Sequence, residues 1–247
     1  MPLFLSERPD RLVGMTDEAL SRPDASAAVE AIGWRYLLGT LAASVAVTSL
    51  NQGMEVAQAV VAACGGDADA HLRVDVRPDR VELVLQTKSI GRVTRRDVAL
   101  AQAVTDAVGT RDLAIAAPTS GGLARPVQAL EIAIDALDIA AIRPFWKAVL
   151  AYADEPGADG PQDAIADPVW QGPAIWFQQM DAPRPQRNRI HFDITVSHDE
   201  AQRRIDAALN AGGTLVSDDA ARSFWILADV EGNEVCVCTW QDRDRVD

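Results

Sequence analysis

The chain has 247 residues, 48% of them hydrophobic, and a formal net charge of −13. This length exceeds the needs of most single domains, so two domains are expected. Because nucleic acids and anionic membranes both attract positive charge, the acidic balance and the lack of a Lys/Arg-rich cluster exclude them as main partners and favour a small-molecule ligand.

The cysteine content and the first residues indicate where the protein works. Three cysteines, at positions 64, 236 and 238, are too few for a disulfide framework, which favours a reducing compartment. The opening MPLFLSERPDRL reaches charged residues before any apolar stretch long enough for a signal peptide or a membrane span. We therefore expect a cytoplasmic protein.

Helix and strand patterns alternate through the first 110 residues. Residues 16–31 can be capped by Thr16 and form a helix. Residues 37–49 are rich in Ala, Val and Leu, and their spacing fits either a strand or a helix. Residues 53–64 are predicted as a helix. Its predicted apolar face consists of Met54, Ala57, Val60 and Val61.

The segment of residues 69–101 places a histidine between a helix end and a strand. His71 is followed by predicted strands at residues 72–76 and 80–87. A helix then begins at Thr94, and Asp97 three residues later gives the start the form of a capping box. Histidine exchanges protons near neutral pH, so His71 is a candidate for acid–base chemistry.

This segment resembles the active site of the pterin-4a-carbinolamine dehydratases. In that family the pattern runs His-His-Pro, two strands closing on Thr-His, and a Gly-Leu-Thr/Ser-x-x-Asp turn into a helix. His71 falls on the second histidine and Ala70 on the first. Thr87 and Lys88 occupy the Thr-His pair, and the turn keeps its acid as Asp97. The resemblance also favours strands for residues 37–49.

The resemblance implies a hydro-lyase reaction in which a 4a-hydroxytetrahydropterin loses hydroxide from carbon and a proton from a ring nitrogen. Its implied catalytic residues are His71, Lys88 and Asp97. Ala70 can do no proton chemistry, and a lysine with a reference pKa of about 10.4 normally stays charged. Losing one positioned acid or base costs on the order of 10²- to 10⁴-fold. We therefore expect weakened or lost dehydratase activity.

Two further interpretations of the same residues stay open. The protein could be a non-catalytic binder of a pterin or a similar flat heterocycle. His71 could also be only a hydrogen-bonded surface or cap residue, and Asp97 only a helix N-terminal acid that stabilises the helix dipole. Homo-oligomer formation is left open as well.

A stretch rich in small residues divides the chain. Residues 109–126 read GTRDLAIAAPTSGGLARP, which is typical of a linker. We predict a domain over residues 1–110, a linker over 111–127 and a second domain over 128–247.

The second half repeats one order of elements. The predicted strands cover residues 129–136, 174–180, 189–196, 214–217, 224–228 and 234–240, and the predicted helices cover 139–150 and 198–210. With the runs NRIHFDI at 188–194 and DVEGNEVCV at 229–237, this duplication resembles the glyoxalase-like branch of the vicinal oxygen chelate superfamily. The implied fold class is α+β: an antiparallel sheet with helices on one face, followed by paired βαβββ modules forming a cup.

That superfamily commonly holds a metal on strands lining the cup. The resemblance puts Glu131 at the first ligand position, His191 at the second and Cys236 at the third, with Glu234 two residues earlier on the same strand. Glu131, His191 and Glu234 could suit Zn, Mn, Fe or Ni, which would make the cup a metal-dependent lyase or dioxygenase. Glu234, however, lies two residues, or about 6.6 Å along the strand, from the third ligand position. This distance argues against a metal site. We therefore predict no cofactor.

Overall fold

The first part of the chain folds around a four-stranded antiparallel sheet with the strand order β1-β2-β4-β3. The structure is a computed structural model that describes residues 18–115, 127–183 and 190–243. Its first elements are α1 (Arg22–Val29), β1 (Arg35–Leu37), β2 (Thr40–Ala46), α2 (Leu50–Cys64), α3 (Ala68–His71), β3 (Leu72–Val76), β4 (Arg80–Leu85) and α4 (Arg95–Gly109). These elements belong to the first of two compact units, Met1–Ala129 and Leu130–Asp247.

Alternate residues of the central strands form one side of the first core. In the β2–β4 pair, Leu41 lies opposite Leu85 and Val45 opposite Val81, so these side chains share one face of the sheet. Together with residues of α1, α2 and α4 they form a single buried cluster. The predicted antiparallel sheet with helices on one face is confirmed.

The start of the unit differs in detail from the sequence prediction. Helix α1 begins after Ser21, whose hydroxyl accepts a hydrogen bond from Asp24 N; the predicted cap Thr16 lies outside the described residues. Within residues 37–49 the strand alternative is correct. A two-residue turn separates β1 from β2: Leu38 and Gly39 both have positive φ angles, 44° and 77°, as a type I′ hairpin turn requires.

The predicted apolar face of α2 is wrong at Met54 and Val61, while Ala57 is half-buried. Met54 and Val61 are about half exposed, at 52% and 48%, whereas Val60 is buried. The buried stripe runs through Gly53, Val56, Val60 and Cys64. A Cβ on Gly53 would lie 2.7 Å from Cγ1 of Val76. The helix therefore approaches the sheet at a glycine, which a search for large apolar residues overlooks.

The second unit contains the same arrangement of strands twice. Its elements are β5 (Glu131–Ala136), α5 (Ile139–Leu150), β6 (Ala153–Asp154), β7 (Ile165–Ala166), β8 (Ala174–Gln179), β9 (Asp193–Thr195), α6 (Ala201–Asn210), β10 (Thr214–Ser217), β11 (Phe224–Ala228) and β12 (Glu234–Cys238). The two sheets have the orders β5-β8-β7-β6 and β9-β12-β11-β10. In each sheet the first strand pairs in parallel with the last. The predicted paired βαβββ modules are confirmed.

The boundaries in this unit are less regular than the sequence pattern indicates. Strand β9 covers three residues where eight are predicted, and α6 begins at Ala201 rather than at residue 198. Strands β6 and β7 have two residues each and lie between residues 150 and 174, where no strand is predicted from the sequence. Elements this short display no periodicity, so the sequence gives no signal for them.

Close packing joins the helices and strands of the second core. Trp146 is fully buried, and its indole N–H donates to Oδ2 of Asp229 at 2.9 Å. A Cβ on Gly213 would lie 2.4 Å from the ring of Phe145, so only glycine fits where the chain leaves α6. Over the described part of the chain, no helix is both long and apolar enough to cross a membrane.

Candidate functional site

His71 lies at the junction between α3 and β3 and is paired with a buried acid. Its side chain is 6% exposed, and its Nδ1 lies 2.8 Å from Oδ1 of Asp97, which is fully buried. Because a carboxylate accepts hydrogen bonds, Nδ1 is the ring nitrogen that donates in this contact, and Nε2 is the nitrogen that Asp97 leaves unused. Among the residues that the structure describes, Nε2 of His71 has no hydrogen-bond partner.

The second oxygen of Asp97 joins the start of α4 to the end of β4. Oδ2 accepts from the backbone N–H of Thr94 at 2.7 Å and from that of Thr87 at 3.1 Å. The hydroxyls of Thr87 and Thr94 also donate to it, at 2.8 and 3.1 Å. The capping box predicted for Thr94 and Asp97 is present. Asp97 therefore starts the helix with one oxygen and orients His71 with the other.

Lys88 lies beside His71 along the backbone. Its Nζ donates to the carbonyl oxygens of Asp69 at 2.7 Å and Leu72 at 2.8 Å, which flank His71 on both sides. Burial, and secondly the positive charge of Arg73, lower the pKa of Lys88, while the charge of Asp69 opposes this. The structure thus brings the side chains of His71 and Asp97 together and attaches Lys88 to the backbone around the histidine.

Two features of this site differ in whether the sequence predicts them. Ala70 is exposed and has no polar side-chain atom, as the sequence already indicates. The buried hydroxyls of Thr87 and Thr94, 2.9 Å apart, were not predicted as part of the site. For Thr94 the capping box was an available signal. His71 and Asp97 are 26 residues apart, so no local sequence pattern predicts their hydrogen bond.

In the second unit the predicted metal ligands lie on different strands. Glu131 begins β5 and is exposed, His191 is exposed just before β9, and Glu234 begins β12. No group of three His, Cys, Asp or Glu side chains able to hold a metal ion is formed by the described residues. The structure therefore does not bring Glu131, His191 and Glu234 into one ligand set.

Cys236 lies next to an acid. It lies opposite Asp193 in the parallel β12–β9 pair. Burial, and secondly its hydrogen bond to Asp193, raise the pKa of Cys236 to about 12. Burial also raises the pKa of Cys238. Both thiols are therefore held in the protonated form at neutral pH.

The second unit also contains a small apolar pocket of about 170 Å³. Trp146, Tyr152, Ile175 and Phe192 contribute to its walls, and Asp193 adds a carboxylate. An apolar cavity of about 150 Å³ is large enough for a benzene-sized group. This pocket has room for one ring.

Two family models match this chain, one for each half. The model described as pterin 4 alpha carbinolamine dehydratase matches residues 18–107. The model described as glyoxalase-like domain matches residues 131–238. The chain therefore combines a pterin-4a-carbinolamine dehydratase-like domain with a glyoxalase-like domain. No curated protein shows significant similarity to it.

Several solved structures are similar to parts of the chain. A transcriptional coactivator/pterin dehydratase from Brucella melitensis is 22% identical, with 36% of this chain and 98% of that chain covered and a TM-score of 0.32. A glyoxalase/bleomycin resistance protein/dioxygenase family enzyme from Burkholderia phytofirmans is 16% identical, with coverages of 44% and 95% and a TM-score of 0.36. A fosfomycin resistance protein from Mesorhizobium loti is 9% identical, with coverages of 46% and 92% and a TM-score of 0.37.

Proposed function

We propose that the first domain binds a pterin or a similar flat heterocycle beside His71 and dehydrates a 4a-hydroxytetrahydropterin slowly. The observation that carries this proposal is the 2.8 Å contact between Nδ1 of His71 and Oδ1 of Asp97. A carboxylate in this position fixes the imidazole ring and leaves Nε2 for proton transfer, as in other histidines that act as acids or bases.

The proposed reaction requires two proton transfers. The ring nitrogen gives its proton to a base, and the hydroxide leaving the carbon takes up a proton and departs as water. His71 can assist one of these transfers at a time, because only its Nε2 is available. With a single positioned group, turnover should be on the order of 10²- to 10⁴-fold below that of a three-histidine relative.

Lys88 does not replace the third histidine as a base in this proposal. Its ammonium donates two hydrogen bonds to the backbone carbonyls of Asp69 and Leu72, and such charge-assisted hydrogen bonds favour the charged ammonium over the neutral amine. We assign Lys88 the role of a fixed positive charge in the site. Asp97 is a positioning residue that acts through His71.

A non-catalytic binding protein is the second candidate. It is favoured by the alanine at position 70 and by the attachment of Lys88 to the backbone, which together leave His71 as the one proton-transfer group among the three homologous positions. The metal-dependent alternative in the glyoxalase-like domain has less support, because Glu131, His191 and Glu234 do not converge.

The three cysteines are free and buried, which supports a reducing, cytoplasmic setting.

The test compares dehydratase turnover of the native protein with that of three variants. His71→Ala should abolish the residual rate, and the double substitution Ala70→His, Lys88→His should raise the native rate by about 10-fold or more, since it restores proton-transfer groups. His198→Ala is the matched control: this exposed histidine contacts Trp240 in the other unit, so its loss should leave turnover unchanged.

The outcomes separate the two candidates. A double variant that folds normally but turns over no faster than the native protein contradicts the dehydratase proposal. If no variant shows turnover while His71→Ala weakens binding of a dihydropterin, the non-catalytic binder is the correct function.

A further inference from the structure

The hydroxyl of Thr87 lies at the centre of the buried network around His71. Its Oγ1 lies 2.8 Å from Oδ2 of Asp97, 2.9 Å from Oγ1 of Thr94 and 3.4 Å from Nδ1 of His71. Thr87 is 3% exposed, and Thr94 and Asp97 are fully buried, so water does not compete for these contacts. A hydroxyl has one proton, so Thr87 can donate in only one of the three contacts.

The distances indicate where the proton of Thr87 points. Its nearest acceptor is Oδ2 of Asp97, at a length typical of an O–H···O hydrogen bond. The hydroxyl of Thr94 lies 3.1 Å from the same Oδ2 and 2.9 Å from Oγ1 of Thr87, so it can donate to either. In both cases the Thr87 oxygen presents a lone pair, and not a proton, to His71.

Nδ1 of His71 therefore faces two acceptor oxygens. Oδ1 of Asp97 lies 2.8 Å from it and Oγ1 of Thr87 lies 3.4 Å from it. The second contact is too long for a strong hydrogen bond, but a bare Nδ1 would set its lone pair against that of the Thr87 oxygen. Because the hydrogen bonds around a histidine decide which ring nitrogen carries the proton, this environment favours a proton on Nδ1.

We propose that Thr87 is a positioning residue that keeps neutral His71 in its Nδ1–H tautomer, with Nε2 as the nitrogen that accepts a proton. Thr87 acts mainly through Asp97: its hydroxyl holds Oδ2, and the carboxylate so fixed turns Oδ1 towards the ring. The effect of this tautomer on turnover rests on the proposed function. The tautomer itself can be measured without a ligand, so the two can fail separately.

Nitrogen-15 NMR of the full chain measures the tautomer, because protonated and bare ring nitrogens resonate at different frequencies. Spectra are recorded at about pH 8.5, where a histidine of ordinary pKa is neutral, and a His71→Ala spectrum identifies the His71 signals among the three histidines. His198 is the internal reference: its Nδ1 accepts from the indole N–H of Trp240 at 3.3 Å, so its own proton should lie on Nε2. His71 should show the opposite tautomer.

Three variants assign the tautomer to the Thr87 hydroxyl. Thr87→Val removes the hydroxyl and keeps the branched shape, so His71 should become a mixture of both tautomers. Thr87→Ser keeps a hydroxyl and should keep the single Nδ1–H form. Thr105→Val is the matched control in the same unit: the Thr105 hydroxyl bonds to Trp34 and Ala101, so its loss should leave the His71 signals unchanged.

Dehydratase turnover of the same variants is the second measurement. Thr87→Val should turn over about 10-fold or more slowly than the native protein, because a misplaced acid–base group loses much of its effect. Thr87→Ser should recover most of the native rate, and Thr105→Val should retain it. A merely structural role of Thr87 would lower the stability of Thr87→Val without changing the tautomer of His71.

The results distinguish failure of this inference from failure of the proposed function. An Nε2–H tautomer of His71 in the native protein overturns the inference, and so does a pure Nδ1–H form or full turnover in Thr87→Val. The expected tautomers without turnover in any protein contradict the dehydratase proposal and leave the role of Thr87 in place. If Thr87→Val does not fold, Thr87→Ala removes the same hydroxyl and replaces it; if both unfold, the native tautomer decides.

Discussion

At the residue scale, a single carboxylate connects three segments of the first unit. Asp97 accepts hydrogen bonds from Thr94 at the start of α4, from Thr87 after β4 and from His71 at the end of α3. The contact with Thr94 is local, so the sequence predicts it as a capping box. The contacts with Thr87 and His71 depend on how α4 packs against the strands, which no local pattern encodes.

Replacing Asp97 by asparagine should destabilise the first unit. The amide keeps one acceptor oxygen but turns an NH₂ group towards the donors of Thr87, Thr94 or His71, leaving at least one buried donor unpaired. We expect the free energy of unfolding to fall by about 2–4 kcal/mol, measured by urea denaturation. Dehydratase turnover should fall as well, because the His71 ring loses its orienting partner.

Asp24→Asn is the control for this substitution. Asp24 is also an acid in the first turn of a helix, but it is exposed and bonded to the Ser21 hydroxyl. Its replacement should change the free energy of unfolding by no more than about 0.5 kcal/mol. Similar losses in both variants would show that Asp97 contributes only as an ordinary helix acid.

At the scale of elements, the sequence predicts the strands of the first unit better than its helix contacts. Strands β3 and β4 alternate clearly, because one face of each packs on the core. Helix α2 is located correctly, but its buried stripe includes Gly53 and Cys64 rather than Met54 and Val61. Which stripe is buried depends on the close approach of the helix to Val76, a tertiary property.

In the second unit, the strand register determines which side chains lie near the third ligand position. The β12–β9 pairing sets Cys236 opposite Asp193, so the homologous third position carries a protonated thiol. The sequence correctly predicts a strand at Cys236, but it does not reveal that an acid lies beside this residue. Glu234 is a strand step away, at the first residue of β12.

We predict that the glyoxalase-like domain binds divalent metal weakly or not at all. A stable site needs three ligands within about 2.0–2.2 Å of one ion, and Glu131, His191 and Glu234 do not form such a group. Elemental analysis of the native protein and of a His191→Ala variant, both purified without chelators, measures the metal content. One metal ion per chain in the native protein and none in the variant would refute the prediction and favour a metal-dependent enzyme.

At the scale of the whole molecule, the two cores form within separate stretches of sequence. The first cluster runs from Ala25 to Ile115 and the second from Ile134 to Val237. The small residues near position 120 and the change in periodicity predict such a division. The repeat of βαβββ order is also visible in the sequence, because helix and strand periods alternate in the same order twice.

Cleavage after the core residue Ile115 and before residue 127 should yield two fragments that each unfold cooperatively. Each cluster buries its own apolar side chains, so each fragment retains the contacts that stabilise it. A protease at low concentration should therefore cut first in this segment, where large hydrophobic residues are few. Mass spectrometry locates the cut, and thermal unfolding of the separated fragments measures cooperativity. A first cut within residues 81–85 would show that the boundary is misplaced, because those residues form the central strand β4 and are protected only while the first core is intact.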